Sequence, residues 1–277
     1  MLQDHTLMKK LFDTIAKAWK AFAARKELLL LAVPVDFVFY WLLAQLHYEI
    51  FNRASAAAMQ LTALMGKQAE QLATSEAVPD LATLQSPEFT NAFHQLLMYT
   101  GIFIASAIAL WLVGKGILWF IAHKTADKKV NAALFVKKFL GMTLFWALAL
   151  VVVMTIALNV LDYALFSPIP LIGEGVANFI IFLLFAVFAY FVFLSYALLP
   201  NKVFIPTLTL GLTRWKELVP VHLVGMLLYF VAVSVPTSLV KVSIYLSLAM
   251  VLLISLPAIA FSRALWATAA QQVVKHA

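Results

Sequence analysis

The chain has 277 residues, 64% of them hydrophobic and only 12% charged, a balance too apolar for an ordinary soluble domain. Its net charge of +7 suggests a polyanionic partner, but the basic residues flank apolar runs instead of forming a basic domain, which favours anionic lipid and excludes nucleic acid. With no cysteine there are no disulfides, thiolate metal sites or cysteine nucleophile.

Residues 1–27 come first. Leu7, Met8, Leu11, Phe12, Ile15, Trp19 and Phe22 recur at helical spacing, with Lys10, Asp13, Lys17 and Lys20 on other faces. This predicts an amphipathic helix in the cytoplasmic interface with Trp19 at headgroup depth; the alternative is a helix packed under the bundle. The apolar run that follows this segment from Leu28 is too long for the core of a signal peptide and has no small-residue cleavage site at its far end, so it is expected to remain as the first helix. Six apolar runs follow, at 28–50, 96–122, 139–161, 176–199, 218–240 and 242–262, each meeting the roughly 20 residues a helix needs to cross a bilayer. Sixteen of the 20 lysines and arginines fall before the first run, between the second and third, between the fourth and fifth, or after the sixth. The opposite side holds Arg53, Lys67 and Lys241, and Lys115 lies within a run. The positive-inside rule then puts both termini in the cytoplasm, with the plasma membrane as the expected location.

Inside the first run stands Asp36, about 13 Å from Glu27 at 1.5 Å per residue. Lys115 lies about 10 Å from the inner end of the second run by the same rise. Their matching depths on consecutive antiparallel helices suit an intramembrane ion pair. The alternative is that Lys115 snorkels to the headgroups while a neighbouring hydroxyl satisfies Asp36. Asp36 also heads a stripe with Tyr40, Leu43 and His47 on one helix face. Thr155, Asn159 and Asp162 share a face of the third run, so the two stripes could line an outward vestibule; polar groups gluing helices together are the plainer reading.

Between the first two runs, 51–95 is the one large segment outside the membrane. Ala54–Ala77 is alanine-rich and predicts helix, Pro79 ends it, and Ser86-Pro87-Glu88 reads as a new helix start. A small outer helical cap is expected. In the second run Gly101, Ala105 and Ala109 recur every four residues, a spacing that lets another helix approach closely, within the bundle or across a homodimer.

The amphipathic design returns twice. Lys128–Lys138 leads into the third run, and Thr207–Leu218 into the fifth, where Arg214, Trp215 and Lys216 are interfacial anchors comparable with Trp19 and Lys20. Three units of interfacial helix plus transmembrane hairpin follow from this reading. With Ala18-Trp19-Lys20 before the first run and Arg214-Trp215-Lys216-Glu217-Leu218 before the fifth, the chain resembles uncharacterised polytopic families similar to the membrane domain found beside some glycerophosphodiester phosphodiesterases. That resemblance implies an architecture and no activity.

The expected fold is thus all-α: one polytopic domain over 1–277, a six-helix bundle with cytoplasmic interfacial helices. No zincin histidine pair, phosphate-binding loop, nucleophile elbow or dinucleotide fingerprint is present, and no metal or cofactor is expected. His123 is read as lying near the cytoplasmic surface, and His222 just inside the fifth run. The functional expectation is a non-catalytic module that packs with membrane proteins or organises lipid through anionic headgroups. A transporter using the Asp36 stripe is the alternative, and an intramembrane enzyme a third reading.

Overall fold

The structure is a computed structural model and describes residues 2–74, 86–126, 130–166, 172–199 and 204–275. Every regular element among them is helical. In chain order these are α1 (Leu2–Ala23), α2 (Lys26–Leu46), α3 (Asn52–Thr74), α4 (Pro87–Leu110), α5 (Gly116–Ala126) and α6 (Ala132–Phe166). They are followed by α7 (Glu174–Leu198), α8 (Phe204–Thr213), α9 (Trp215–Leu239), α10 (Ile244–Met250) and α11 (Leu256–Lys275). Single π-helical turns at His47–Phe51, Trp111–Lys115 and Val251–Ser255 join α2 to α3, α4 to α5 and α10 to α11, so each pair forms one continuous helix.

Six helices are long and apolar enough to cross a membrane: Lys26–Lys67, Pro87–Ala126, Ala132–Leu165, Glu174–Leu198, Trp215–Leu239 and Ile244–Val274. Most overrun the apolar runs that announce them, and the ends show why. Asn131 accepts a hydrogen bond from the Leu134 amide at 3.1 Å, so α6 begins at Ala132, ahead of residue 139. Residues 132–138 are therefore its first two turns and not a separate interfacial helix. Of the three expected amphipathic segments, only the first is a helix of its own, α1; residues 207–218 are split between α8 and the first turn of α9, which holds Trp215, Lys216 and Leu218. Beyond residue 51, Ala54–Ala58 continues α2 because alanine gives the helix no reason to stop.

The chain divides into a bundle, Met1–Asp36 with Lys115–Ala277, and a hairpin, Phe37–Gly114. The bundle is organised around α11. Ala264, Leu265, Trp266 and Ala267 are all buried, and four successive residues cannot share one face of a helix. The second half of α11 is therefore enclosed, with α1, α5, α7 and α9 packed against it. Its alanines let those neighbours come close where lipid supplies no hydrophobic drive. By contrast Leu148, Leu158, Phe182, Leu223, Phe230 and Leu253 remain exposed on the outside of the helices.

In the hairpin, Phe39 meets Trp111 at 6.2 Å, while His47 and Phe51 meet Phe103 at 6.5 and 5.9 Å, so the two strands of helix run antiparallel. Ala54, Ala57, Leu61 and Ala92 are buried along the α3–α4 contact. Gly114 is required here, because a Cβ at that position would collide with the Phe39 ring. Ser86 caps α4, accepting from the Phe89 amide at 3.2 Å, with Pro87 in the first turn as the sequence predicts. Among the described residues of 51–95 there is thus no separate helical cap: α3 prolongs the first spanning helix and α4 begins the second. Pro79 lies outside the described residues.

Candidate functional site

Three charged side chains meet inside the bundle. The Arg263 guanidinium forks onto the Asp36 carboxylate, with Nη1 donating to Oδ1 at 3.0 Å and Nη2 donating to Oδ2. Lys115 Nζ lies 3.6 Å from Oδ1. Asp36 is 0%, Lys115 7% and Arg263 5% exposed, so the cluster is sealed from bulk water. Local structure aims each group inward. Asp36 is one turn past the buried Ala32 on the inner face of α2. Lys115 closes the π turn, whose additional residue rotates the helix beyond it relative to a regular one. Arg263 projects from the enclosed part of α11. A planar fork fits a carboxylate in one orientation only, so the cluster fixes α2 against α11 while Lys115 ties in the start of α5.

By position Arg263 reads as the first basic residue after the sixth apolar run, yet it is a buried member of this cluster. The missed signal is in the segment that follows: Ala264–Val274 carries no charge and is mostly alanine and apolar residues, so helix and burial both continue.

The other expected positions are placed differently. On α2 the buried positions are Ala32, Asp36 and Phe39; Tyr40 and Leu43 are half-buried. His47 is exposed, stacked on Phe51 at 4.6 Å. Thr155, Asn159 and Asp162 are exposed on α6. Thr155 donates to the Val151 carbonyl at 2.9 Å and Asn159 to the Thr155 carbonyl at 2.7 Å, and both residues border only a shallow open concavity. Among the described residues no three histidine, aspartate or glutamate side chains converge as metal ligands. Gly101, Ala105 and Ala109 are exposed, and nothing lies within 4 Å of a Cβ built on Gly101, so this small-residue face is not packed within the chain.

The two histidines expected at the surface or just inside a span are core residues. His123 is fully buried, with Nε2 2.8 Å from the Tyr196 carbonyl oxygen near the end of α7. The Tyr196 hydroxyl reaches Thr143 at 3.1 Å, and Trp146 Nε1 donates to Ser195 at 2.7 Å, so this polar set joins α5, α6 and α7. His222 is enclosed by the rings of Tyr190, Phe193 and Trp266 at 5.4–6.1 Å.

The expected anchors divide α1 into three faces. Thr14, Ala18 and Phe22 are buried, with Thr14 donating to Gln272 at 2.9 Å and Phe22 edge-on to Phe261 at 5.4 Å. Met8, Phe12 and Trp19 form an exposed apolar stripe, 54–61% accessible. Lys9, Lys10, Asp13, Lys17 and Lys20 occupy the third face. Lys10 reaches Glu217 at 3.3 Å; Glu217 also lies 3.6 Å from Arg214. Trp215 beside it is exposed, with Lys216 over its ring at 5.9 Å.

The fold therefore defines an all-helical protein with six helices able to cross a membrane and a buried charge cluster joining the first, second and last of them. Comparison with protein-family models, curated proteins and solved structures finds no match.

Proposed function

We propose that the protein is a non-catalytic module of a membrane, most simply the plasma membrane, which organises anionic lipid or packs with partner membrane proteins through its cytoplasm-facing amphipathic helices. The observation that carries this reading is the three-faced α1. A helix that only completed the bundle would need a buried face and a polar one, whereas α1 keeps Met8, Phe12 and Trp19 exposed between its buried face and its lysines. Such a stripe beside basic residues suits the headgroup boundary, where each lysine or arginine near an anionic surface contributes about 1 kcal/mol.

The test is reconstitution. In vesicles containing brominated anionic lipid, Trp19 and Trp215 fluorescence is quenched, and replacing Lys17, Lys20, Arg214 and Lys216 by glutamine lowers the anionic lipid retained through purification. Unquenched tryptophans with unchanged retained lipid exclude the lipid role.

Orientation rests on the distribution of basic residues, and the cysteine-free chain makes it accessible to labelling. Single cysteines replacing Met59 or Tyr245 react with an impermeant reagent on intact cells, and those replacing Lys17 or Lys137 do not. The opposite pattern inverts the assignment.

The buried Asp36 cluster favours a second reading, transport, because charge inside a membrane commonly marks a pathway. In that case Asp36→Asn abolishes cellular function while the fold persists, and neutralising the four basic residues does not.

A further inference from the structure

His222 stands in α9 two residues after Pro220 and is 6% exposed. Three rings enclose it: Tyr190 and Phe193 of α7 at 5.5 and 6.1 Å, and Trp266 of α11 at 5.4 Å. Both of its ring nitrogens are shut off from solvent, and neither has a hydrogen-bond partner among the described residues. Packing beside it is tight. A Cβ built on Gly225, one turn further along α9, would stand 3.1 Å from Ser262 Oγ and 3.3 Å from Trp266 Nε1, so α9 and α11 touch there.

Among the described residues no charge faces the imidazole. From α7 and α11 it meets the three rings, of which Tyr190 is the titratable one, and the Tyr190 hydroxyl donates to the Gly211 carbonyl at 3.0 Å. Arg263, next to Ser262 on α11, is turned to Asp36. The other elements packed on α9 are α1, α8, α10 and the π turn at Val251–Ser255. The last three carry no charged residue. The ion pair from α1 is Lys10 to Glu217, and Glu217 lies about 140° round the helix from His222 at 100° per residue.

A neutral imidazole carries one N–H; an imidazolium carries two and a charge. Aromatic faces attract a cation but supply neither the hydrogen-bond acceptor nor the counter-charge that a buried ion needs. The closed junction therefore suits the uncharged ring. Pro220 provides the means of opening, because it has no amide N–H for the Lys216 carbonyl and leaves α9 able to bend just before the histidine.

We propose that His222 is a proton-operated switch: α9 packs on Tyr190 and Trp266 while the imidazole is neutral, and a proton on the ring releases α9 from them by a bend at Pro220. Water entering the opened junction then solvates the charge. The switch is independent of the lipid-organising role proposed above.

The experiment uses the full chain in nanodiscs. Ser262→Cys puts a single thiol at the α9–α11 contact of this cysteine-free chain. It is labelled with a pyridyl disulfide, which reacts in acid, and each rate is divided by that of the denatured chain at the same pH. Between about pH 7.5 and about pH 5, the range in which histidine titrates, the normalised rate rises about tenfold or more. His222→Phe keeps an aromatic ring that takes no proton and removes the rise; where this variant does not fold, His222→Leu is read in the same way. His123→Gln, at the other buried histidine, retains it. Hydrogen exchange of residues 221–225, corrected for the intrinsic rate, gives the same answer without the introduced thiol. A labelling rate independent of pH, an equal rise in His222→Phe, or slower labelling in acid, which would mean that the rings hold the imidazolium, overturns the proposal.

Discussion

Asp36, Lys115 and Arg263 come from three distant parts of the sequence and bond to one another, whereas Thr155, Asn159 and Asp162 lie on one helix, and the hydrogen bonds of the first two go to its own backbone. Both sets put polar atoms on helices able to cross a membrane, yet only the first is buried. The difference shows how a membrane helix meets the cost of a polar side chain. A threonine or asparagine meets it locally, by bonding a carbonyl one turn back, and needs no neighbouring helix. A carboxylate has no such local donor, because the helix amides are already bonded, so its partner must come from another element. The buried charged set therefore specifies tertiary structure, and Thr155 and Asn159 do not.

The largest consequence of that contrast is energetic. Asp36→Asn leaves two cations buried without their carboxylate and costs about 3–5 kcal/mol. Arg263→Met leaves Asp36 with only Lys115, which approaches one oxygen, and costs a comparable amount. The double variant recovers much of the loss, since neither member of the fork is then left unmatched. Reversible unfolding in detergent measures the cycle. Additivity within about 0.5 kcal/mol shows that the fork does not couple α2 to α11 and removes the distinction between the two sets.

Sequence alone revealed the spanning helices because a bilayer demands a local pattern, about 20 apolar residues, that no distant contact can replace. It also revealed that Asp36 and Lys115 lie at matching depth, because helical rise converts residue number into height. It did not reveal Arg263. That residue ends an apolar run and, by position, reads as a cytoplasmic anchor; only the packing of α1, α5, α7 and α9 around the following alanines makes its surroundings an interior. The same limit explains His123. A histidine beside Lys124 looks solvated, and its bond to the Tyr196 carbonyl depends on where α7 ends relative to α5. Helix lengths failed for a different reason: alanine-rich segments such as 54–58 and 264–270 lie beyond a charged or polar residue that bounds the apolar run, and are too helix-prone to stop there. Gly101, Ala105 and Ala109 mark a face with the right shape for packing, but shape does not determine whether that face is covered.

The smallest expected effect tests the other side of the comparison. Thr155→Val and Asn159→Leu remove hydrogen bonds that return to the backbone of α6, where the carbonyls at Val151 and Thr155 already serve as helical acceptors. Both side chains are exposed, so no buried donor or acceptor is left unmatched and no cavity is opened. Each change should alter stability by no more than about 0.5 kcal/mol, the range of surface substitutions away from special features. Combined with Asp36→Asn, either should be additive within about the same margin. A loss above about 2 kcal/mol in the same unfolding assay gives the α6 stripe a tertiary partner and makes it a second structural site. If stability is unchanged while cellular function is lost, the stripe is instead a surface used by lipid or by another protein.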